Sequence, residues 1–403
     1  MKPRSTKLPT YSKDLRAAEQ DRLEGLDGIR GLAVLMVIYA HLWLFDAGWV
    51  GMQSFFVLSG FLITRVLLND RAVSNSFGDY LKRFYIRRIL RVFPLYFSYL
   101  LIVALVLYIF GQTEHLSSHV LYASTYIYNY YHASAAYTHS FAFSHLWSMS
   151  VEEQFYLLWP LVMYLLPTAK KARNFLLAVV FAGPLLRAGT ALLWPMLPTG
   201  EVTNSIPRAV FLITPCYLDA FAIGALLNFL KIRVSAYALF GASLIAMVVG
   251  MVINGPGVFP SFSKGAYFAL GWPKMMPRGE QFIWGYTVIN VLLFMLINVV
   301  ITSKGHVHKL FLNPALDFLG KRSYSIYIVH FSLLGLSLPL IDHLIATIGN
   351  RPLACLLFSV GYIPLTIMIA DQTYRRIEMP ALQLKSRFSP RRSEPNPSIA
   401  PGP

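Results

Sequence analysis

Cysteine is scarce in this sequence, and charged residues are few. Only two cysteines occur among 403 residues, Cys216 and Cys355, and each lies in a different apolar segment. This arrangement supports neither a disulfide framework nor a cysteine metal site. Charged residues make up 13% of the chain and hydrophobic residues 56%, a balance far from that of a soluble globular domain. The composition therefore predicts an integral membrane protein.

We expect no leader peptide at the start of this sequence, and the sequence contains no zinc-protease motif. The polar start of the chain is too long and too mixed in charge for a signal peptide, and no small-residue cleavage site follows the first apolar run. His115 and His119 have the i, i+4 spacing of a helical zinc site, but no H-E-x-x-H motif and no nearby thiol complete it. We therefore predict that the first apolar run stays as a helix, and we predict no metal site and no appended soluble catalytic domain.

Long apolar runs are the main feature of the chain. A helix needs about 20 apolar residues to cross roughly 30 Å of hydrocarbon. An extra candidate, residues 117–131, is short and polar, and we expect it to be an extracytoplasmic or re-entrant piece. The sequence predicts an all-α integral membrane protein of about ten transmembrane helices, near residues 29–46, 50–69, 92–111, 145–166, 174–195, 209–230, 234–254, 282–302, 323–342 and 353–371.

The basic residues indicate the orientation of these spans. The chain has a formal net charge of +16, and most of its 35 lysines and arginines lie at the ends of apolar runs that would face the cytosol. This bias is the positive-inside rule, and it places both termini in the cytosol. No basic face with interleaved aromatics is present, so we predict no nucleic-acid partner. The extracytoplasmic exceptions are Arg208, Lys264, Lys274, Arg278 and Arg351.

Three parts follow from this topology. Residues 1–25 form a polar cytosolic N-terminal segment, and residues 26–372 form the transmembrane domain. Residues 373–403 form a basic cytosolic tail, rich in proline and serine, which we expect to be disordered.

The first span carries two ionisable residues, Arg30 and His41. Ionisable groups inside a span are costly and by default indicate function. The separation of Arg30 and His41 places both on one face of a helix, roughly 16 Å apart. A structural interpretation is equally open, with Arg30 reaching the lipid headgroups and His41 in a helix–helix hydrogen bond.

A second group of ionisable residues, Arg87, Arg88 and Arg91, lies on the predicted cytosolic side just before Pro94. Arg88 and Arg91 share a helical face. Guanidinium groups so placed suit the phosphates of a nucleotide-bearing donor such as a coenzyme A thioester. An ordinary anchor for anionic membrane lipids is the stronger interpretation of this cluster taken alone.

The third group is a pair of glutamates, Glu152 and Glu153. They lie roughly 10 Å inside a span and point about 100° apart on a helix, so only one readily faces a given partner. Packing does not explain two carboxylates at that depth. The same stretch carries hydroxyls and an indole that suit a supporting or sugar-binding role, although an aromatic belt explains most of its rings: Ser148, Ser150 and Trp147.

Later spans carry three more ionisable residues. His330 is a lone histidine on an apolar helix, more often a satisfied polar contact than a catalyst. Arg187 and Asp219 are expected to pair across two spans in a structural role.

Five of these segments, in this order, resemble the acyltransferase-3 family of integral membrane acyltransferases. They extend from residue 26 to about residue 335, and they are LDGIRGLAVLMVIYAH, GWVGMQSFFVLSGFLI, RRILRVFPLY, SHLWSMSVEEQFYLLWPL and LGKRSYSIYIVHFSLL. The resemblance implies transfer of an acyl group, often acetyl, from a coenzyme A thioester to a hydroxyl of a carbohydrate or sugar-bearing molecule. It implies acyl-CoA as a donor substrate and no permanently bound cofactor.

The resemblance also implies roles and a setting. Arg30 and His41 match the family's essential pair, and the other matched positions are its cytosolic arginine motif and its acidic motif: Arg88, Arg91, Glu152 and Glu153. The implied acceptor is a carbohydrate or lipid-linked glycan, such as lipopolysaccharide O-antigen or an exopolysaccharide, modified at a bacterial-type inner (plasma) membrane. Some relatives carry a further extracytoplasmic hydrolase-like domain, which we expect to be missing here.

One mechanism fits these residues, with neutral His41 taking the acceptor's proton and Glu152 or Glu153 orienting its ring. An acyl-histidine intermediate remains an open alternative. The rival class is a transporter or flippase of sugar-linked lipid with buried His and Glu as a proton relay. We find no internal repeat and no matching pair of broken spans that would favour a transporter, and a sensor or scaffold leaves the glutamate pair unexplained.

Overall fold

The computed structural model describes residues 24–196, 205–254, 269–276 and 280–384. Within these ranges the chain is helical and forms no strand. Most of the predicted N-terminal segment, Lys264, Arg278 and the tail beyond residue 384 lie outside the described residues.

The helices run from α1 near the N-terminus to α17. Short 3-10 turns connect some of them, at Asp46–Gly48, Ser144–Leu146, Trp194–Met196 and Thr214–Tyr217. In chain order the helices are α1 (Glu24–His41), α2 (Trp49–Val73), α3 (Phe77–Ile109), α4 (Leu116–Ser124), α5 (Tyr128–Ala133), α6 (Trp147–Leu165), α7 (Ala169–Leu193), α8 (Ser205–Leu212), α9 (Leu218–Leu226), α10 (Ala236–Asn254), α11 (Gln281–Thr302), α12 (His306–Phe311), α13 (Pro314–Lys321), α14 (Ser323–Leu336), α15 (Leu338–Ile348), α16 (Arg351–Thr373) and α17 (Met379–Leu384).

Polar caps explain where three of the long helices begin. The Ser76 hydroxyl accepts a hydrogen bond from the third residue of α3 at 3.1 Å. Thr168 caps α7 in the same way at 3.2 Å, and Asn350 caps α16 at 3.1 Å. Each cap satisfies a backbone N–H that the first turn of a helix leaves unpaired.

Six helical stretches among the described residues are long and apolar enough to cross a membrane, and the number reaches eight if each of two bent pairs is one span. The bends measure 70° between α8 and α9 and 58° between α14 and α15. Pro215 and Pro339 lie in the first turn after each bend, where proline ends one helix and starts another.

Two predicted spans, α1 and α6, are not among these eight. They carry the ionisable candidates, with Arg30 and His41 on α1 and the two glutamates on α6, and polar residues lower the apolar character of a helix. The count of about ten spans and the cytosolic termini therefore stay predictions. The segment 117–131 forms only α4 and α5, of 9 and 6 residues, which are too short to cross a bilayer.

Helix α1 packs closely against α13 because both carry glycine at the contact. A Cβ atom on Gly320 would lie 1.7 Å from the carbonyl oxygen of Asp27, and one on Gly31 would lie 2.1 Å from that of Leu316. Small residues allow this backbone approach between membrane helices. The contact fixes the rotation of α1 and hence the direction in which Arg30 points.

The predicted pairing of Arg187 with Asp219 is confirmed. Both side chains are fully buried, and two parallel N–H···O contacts of 3.0 Å join them. Arg187 Nε also donates to the carbonyl of Ile283 at 2.6 Å, and Thr287 Oγ1 donates to Asp219 at 2.6 Å. A buried charge pair needs this many partners to offset desolvation, and this one ties α7, α9 and α11 together.

Candidate active site

His41 ends helix α1 and contacts His330 on α14. Nδ1 of His41 lies 3.0 Å from Nε2 of His330, and Nδ1 of His330 lies 2.6 Å from the backbone carbonyl of Tyr327. A carbonyl oxygen only accepts, so Nδ1 of His330 carries the proton. In the neutral pair, His330 Nε2 then accepts from the Nδ1–H of His41, and the lone pair of His41 is left on Nε2.

Packing holds this histidine pair from several sides. His330 is completely buried, and the hydroxyl of Tyr362 donates to its backbone carbonyl. The ring of Phe331 lies 4.5 Å from that of His41, and the ring of His145 lies 5.6 Å from that of His330. Sequence reasoning did not select His145, although it is the second residue of a matched motif.

His41 faces a space that we call the histidine cavity, of about 550 Å³. Aromatic rings surround much of it, and one acidic and one basic side chain, Asp46 and Lys274, lie in its wall. Its other lining residues are Val37, Ala40, Gly48, Trp49, Met52, Trp147, Phe211 and Tyr327.

A second space, the arginine cleft, holds Arg30 and Arg91 and measures about 620 Å³. Met52 and Tyr327 line both spaces, so the cleft and the cavity meet at these two side chains. The other residues of the cleft are Phe55, Ser59, Val92, Ser148, Met149, Glu152, Tyr156, Ser323 and Tyr324. The structure thus separates Arg30 from His41 on two sides of a common wall.

The two glutamates face different partners, as their positions on one helix predict. Glu152 lines the arginine cleft and accepts a hydrogen bond from Ser59 at 2.8 Å. An oxygen of Glu153 lies 3.9 Å from Nε of Arg88. The expectation that one of them orients His41 was wrong, because His330 of α14 occupies that place.

The three arginines of the predicted group lie in three different environments. Arg87 forms a buried ion pair with Asp70. The Arg88 guanidinium stacks on the ring of Tyr156, 3.5 Å from its centroid. Arg91 lines the cleft, beside Arg30. Of the three, Arg91 is therefore the best placed for an anionic ligand in the cleft.

The residues predicted to support the site also lie in different places. Trp147 lines the histidine cavity, and Ser148 lines the arginine cleft, where its hydroxyl lies 2.7 Å from that of Tyr327. Ser150 is buried and bonds to the carbonyl of Leu146 on its own helix at 3.3 Å, so it lines neither space. Tyr327 was missed from the sequence, although it lies one helical turn before His330.

His115 and His119, the two histidines with the spacing of a zinc site, have other surroundings. His119 is buried, with Nδ1 at 2.8 Å from the hydroxyl of Tyr128. His115 lies beside the exposed carboxylate of Glu114, at 3.4 Å. Over the described part of the chain, no group of three or more His, Cys, Asp or Glu side chains is arranged to hold a metal ion.

Comparison with known proteins matches one family along most of the chain. The model of the acyltransferase-3 family, described as an acyltransferase domain, matches residues 23–371. The peptidoglycan O-acetyltransferase OatA of Listeria monocytogenes serovar 1/2a is 29% identical over 371 residues, which cover 88% of this chain and 55% of that protein.

Two relatives from Staphylococcus aureus match at similar identity. The O-acetyltransferase OatA of strain NCTC 8325 is 28% identical over 371 residues, which cover 89% of this chain and 57% of that protein. A relative from strain MRSA252 is 29% identical over 390 residues, covering 91% of this chain and 60% of the relative. The chain thus spans less than two thirds of these relatives' length, and no solved structure matches it.

Proposed function

We propose, since the chain belongs to the acyltransferase-3 family, that it is a membrane O-acyltransferase. It moves an acyl group, in the first place acetyl, from acyl-CoA to a hydroxyl of a carbohydrate or lipid-linked glycan in a bacterial-type inner membrane. The names of its relatives support acetyl transfer. The observation that carries the proposal is the meeting of the histidine cavity and the arginine cleft at Met52 and Tyr327.

The donor enters the arginine cleft. Arg30 and Arg91 lie in its wall and supply positive charge for the phosphates of coenzyme A. The thioester end then reaches the wall between the two spaces. In the ten-span topology with cytosolic termini, which is part of this proposal, the cleft is open to the cytosol, where acyl-CoA is made.

His41 is the proposed base. Its free Nε2 takes the proton of the acceptor hydroxyl as that oxygen attacks the thioester carbonyl. A C–O bond forms, the C–S bond breaks, and the proton passes to the sulfur of the leaving coenzyme A. His330 keeps its hydrogen bond to Nδ1 of His41 throughout and so holds the ring in place.

A two-step route uses the same atom. Nε2 of His41 attacks the thioester carbonyl, so an N–C bond forms, the C–S bond breaks and coenzyme A leaves as the thiolate, which takes a proton from solvent. The acceptor hydroxyl then attacks the acyl-imidazole, so a C–O bond forms, the C–N bond breaks and the hydroxyl proton passes through Nε2 of His41 to solvent. The position of His41 beside the wall suits this route, because the acyl group passes from one space to the other. In the absence of acceptor, a burst of coenzyme A thiol that reaches one equivalent of protein indicates the acyl-histidine route, and no burst indicates direct transfer.

The test of function is turnover by purified protein in detergent, without an ion gradient. Release of the coenzyme A thiol from acetyl-CoA is measured with a cell-envelope glycan extract as acceptor. His41→Ala should lower turnover by about 10²- to 10⁴-fold, whereas His343→Ala, at an exposed histidine of α15, should not. Undiminished turnover in His41→Ala would eliminate the proposal, and glycolipid movement that needs a gradient would favour the transporter.

A further inference from the structure

Two basic side chains, Lys274 and Arg208, lie near the histidine cavity. Both belong to the small set of cations that the predicted topology places on the extracytoplasmic side, where basic residues are normally few. Lys274 lines the cavity itself. Arg208 is near enough for its charge to repel that of Lys274. Arg351, another cation of this set, packs on Trp43 instead.

Lys274 lies in a turn that a hydrogen bond attaches to the wall of the histidine cavity. Its side chain is exposed, and the next two residues, Met275 and Met276, have left-handed backbone conformations with φ of 65° and 44°, which non-glycine residues seldom adopt. The indole of Trp49 donates to the carbonyl of Trp272 in this turn at 2.9 Å. The unusual turn is therefore fixed to the wall of the cavity, and it places an ammonium group at the mouth.

Arg208 is held in a similar way on α8. Its guanidinium donates to the carbonyl of His132 at 2.8 Å and lies 4.9 Å from the ring centroid of Tyr137. It is one helical turn from Phe211, whose ring lies 5.4 Å from Nζ of Lys274. These contacts orient Arg208 without neutralising its charge.

The acidic side chains nearby do not balance these two cations. Asp46 lines the same cavity and attracts Lys274. In the described parts of the chain, neither Lys274 nor Arg208 has a carboxylate oxygen within the 4.0 Å of an ion pair. Among the residues that the structure describes, one carboxylate faces two cations at the mouth of the cavity, which gives these three side chains a net positive charge.

We propose that the acceptor carries an anionic group, a carboxylate or a phosphate, and that Lys274 binds it while Arg208 adds to the field. This inference rests on the proposed function and adds the charge of the substrate to it. The aromatic rings in the cavity wall, Trp49, Trp147 and Phe211, provide apolar faces for a sugar ring. The anionic group at Lys274 then fixes which hydroxyl of that ring reaches His41.

Binding to the full chain in phosphatidylcholine nanodiscs tests this inference without any need for turnover. The probes are three matched methyl β-D-glycosides: the neutral glucoside, the glucuronide and the glucoside 6-phosphate. Quenching of tryptophan fluorescence reports on the cavity, which Trp49 and Trp147 line.

We expect a charged probe to bind about tenfold tighter than the neutral one, which is the difference in affinity that one good charge-assisted contact gives. Preference for the glucuronide identifies an acidic sugar as the source of the charge, and preference for the phosphate identifies a phosphorylated glycan.

Single-residue variants test which side chain binds the anionic group of the probe. Lys274→Met should remove the preference and Lys274→Arg should restore it, whereas Arg351→Met, the matched loss of one extracytoplasmic cation, should leave it unchanged. His41→Ala should also keep it, so a wrong assignment of the base and a wrong assignment of the anion site are separable. Equal binding of all three probes by the wild type overturns the inference. A preference that persists in Lys274→Met but is lost in Arg91→Met places the anion in the arginine cleft and overturns it as well.

Discussion

Nδ1 of His41 and Nε2 of His330 lie 3.0 Å apart, on helices α1 and α14. The backbone carbonyl of Tyr327 fixes the proton on the far nitrogen of His330, so the hydrogen bond between the rings has one direction when both are neutral. His41 donates, His330 accepts, and Nε2 of His41 is the free basic atom. A histidine thus orients a histidine here, in the place where a carboxylate is the more common partner.

Replacing His330 should slow the chemical step and leave donor binding intact. In His330→Ala the ring of His41 loses its acceptor and rotates, so kcat falls roughly 10²-fold while KM for acetyl-CoA stays near the wild-type value. His330→Gln should recover much of kcat, because the Gln carbonyl oxygen can accept from Nδ1–H. Steady-state kinetics on purified protein check this split. A raised KM with unchanged kcat in His330→Ala would contradict the positioning role.

The arginines of α3 should differ in what they do. Arg91→Ala, alone or with Arg88→Ala, should raise KM for acetyl-CoA, because Arg91 lines the cleft and Arg88 stacks on Tyr156 beside it. Arg87→Ala should instead lower the melting temperature, since the buried carboxylate of Asp70 loses the guanidinium that pairs with it, at a cost of about 3–5 kcal/mol. Kinetics and thermal unfolding of the same preparations separate the two effects. Equal effects of Arg87→Ala and Arg91→Ala on KM would refute the assignment.

The contact between α1 and α13 should tolerate no side chain at Gly320. In Gly320→Ala the new Cβ meets the carbonyl oxygen of Asp27 at 1.7 Å, so the helices must separate, at roughly 1–3 kcal/mol. Asp27 also forms the 2.7 Å ion pair with Arg30, so activity should fall together with the melting temperature. Gly361→Ala on α16 is the control, because a Cβ there meets nothing within 4 Å. If both variants melt alike, close packing at Gly320 is not what positions α1.

Much of the fold was accessible from the sequence because it depends on local patterns. Apolar runs predict helices, and two opposite charges in otherwise apolar spans predicted the Arg187–Asp219 pair. The bends beside Pro215 and Pro339 were not predicted, because both segments read as continuous apolar runs. The site was less accessible, because its main contact joins residues 289 positions apart, and no local period relates α1 to α14. Lys274 lies in a turn whose direction depends on an indole from α2. The contact of His41 with His330 and the direction of the Lys274 turn both depend on how the helices pack, which a local sequence pattern does not show.

The field of Lys274 and Arg208 should be measurable at a third residue, His139, in the loop before α6. Partial burial, and then the positive charges of Arg208 and Lys274, lower the pKa of His139 below its usual value. A positive neighbour disfavours the imidazolium, so removal of one charge in Lys274→Met should raise this pKa, and the protonated fraction at a given pH should increase. Addition of the glucoside 6-phosphate to the wild type should raise it too, because a bound anion offsets the same charges.

NMR titration of selectively labelled histidine, assigned with His139→Gln, measures both shifts. Arg351→Met is again the matched control and should leave the pKa of His139 unchanged, since its guanidinium lies over Trp43. A pKa that falls or stays constant in Lys274→Met would show that the ammonium group does not act at the mouth of the cavity. Lys274 would then not be the binding partner of the anion, and the inference that it binds the acceptor's charge would fail.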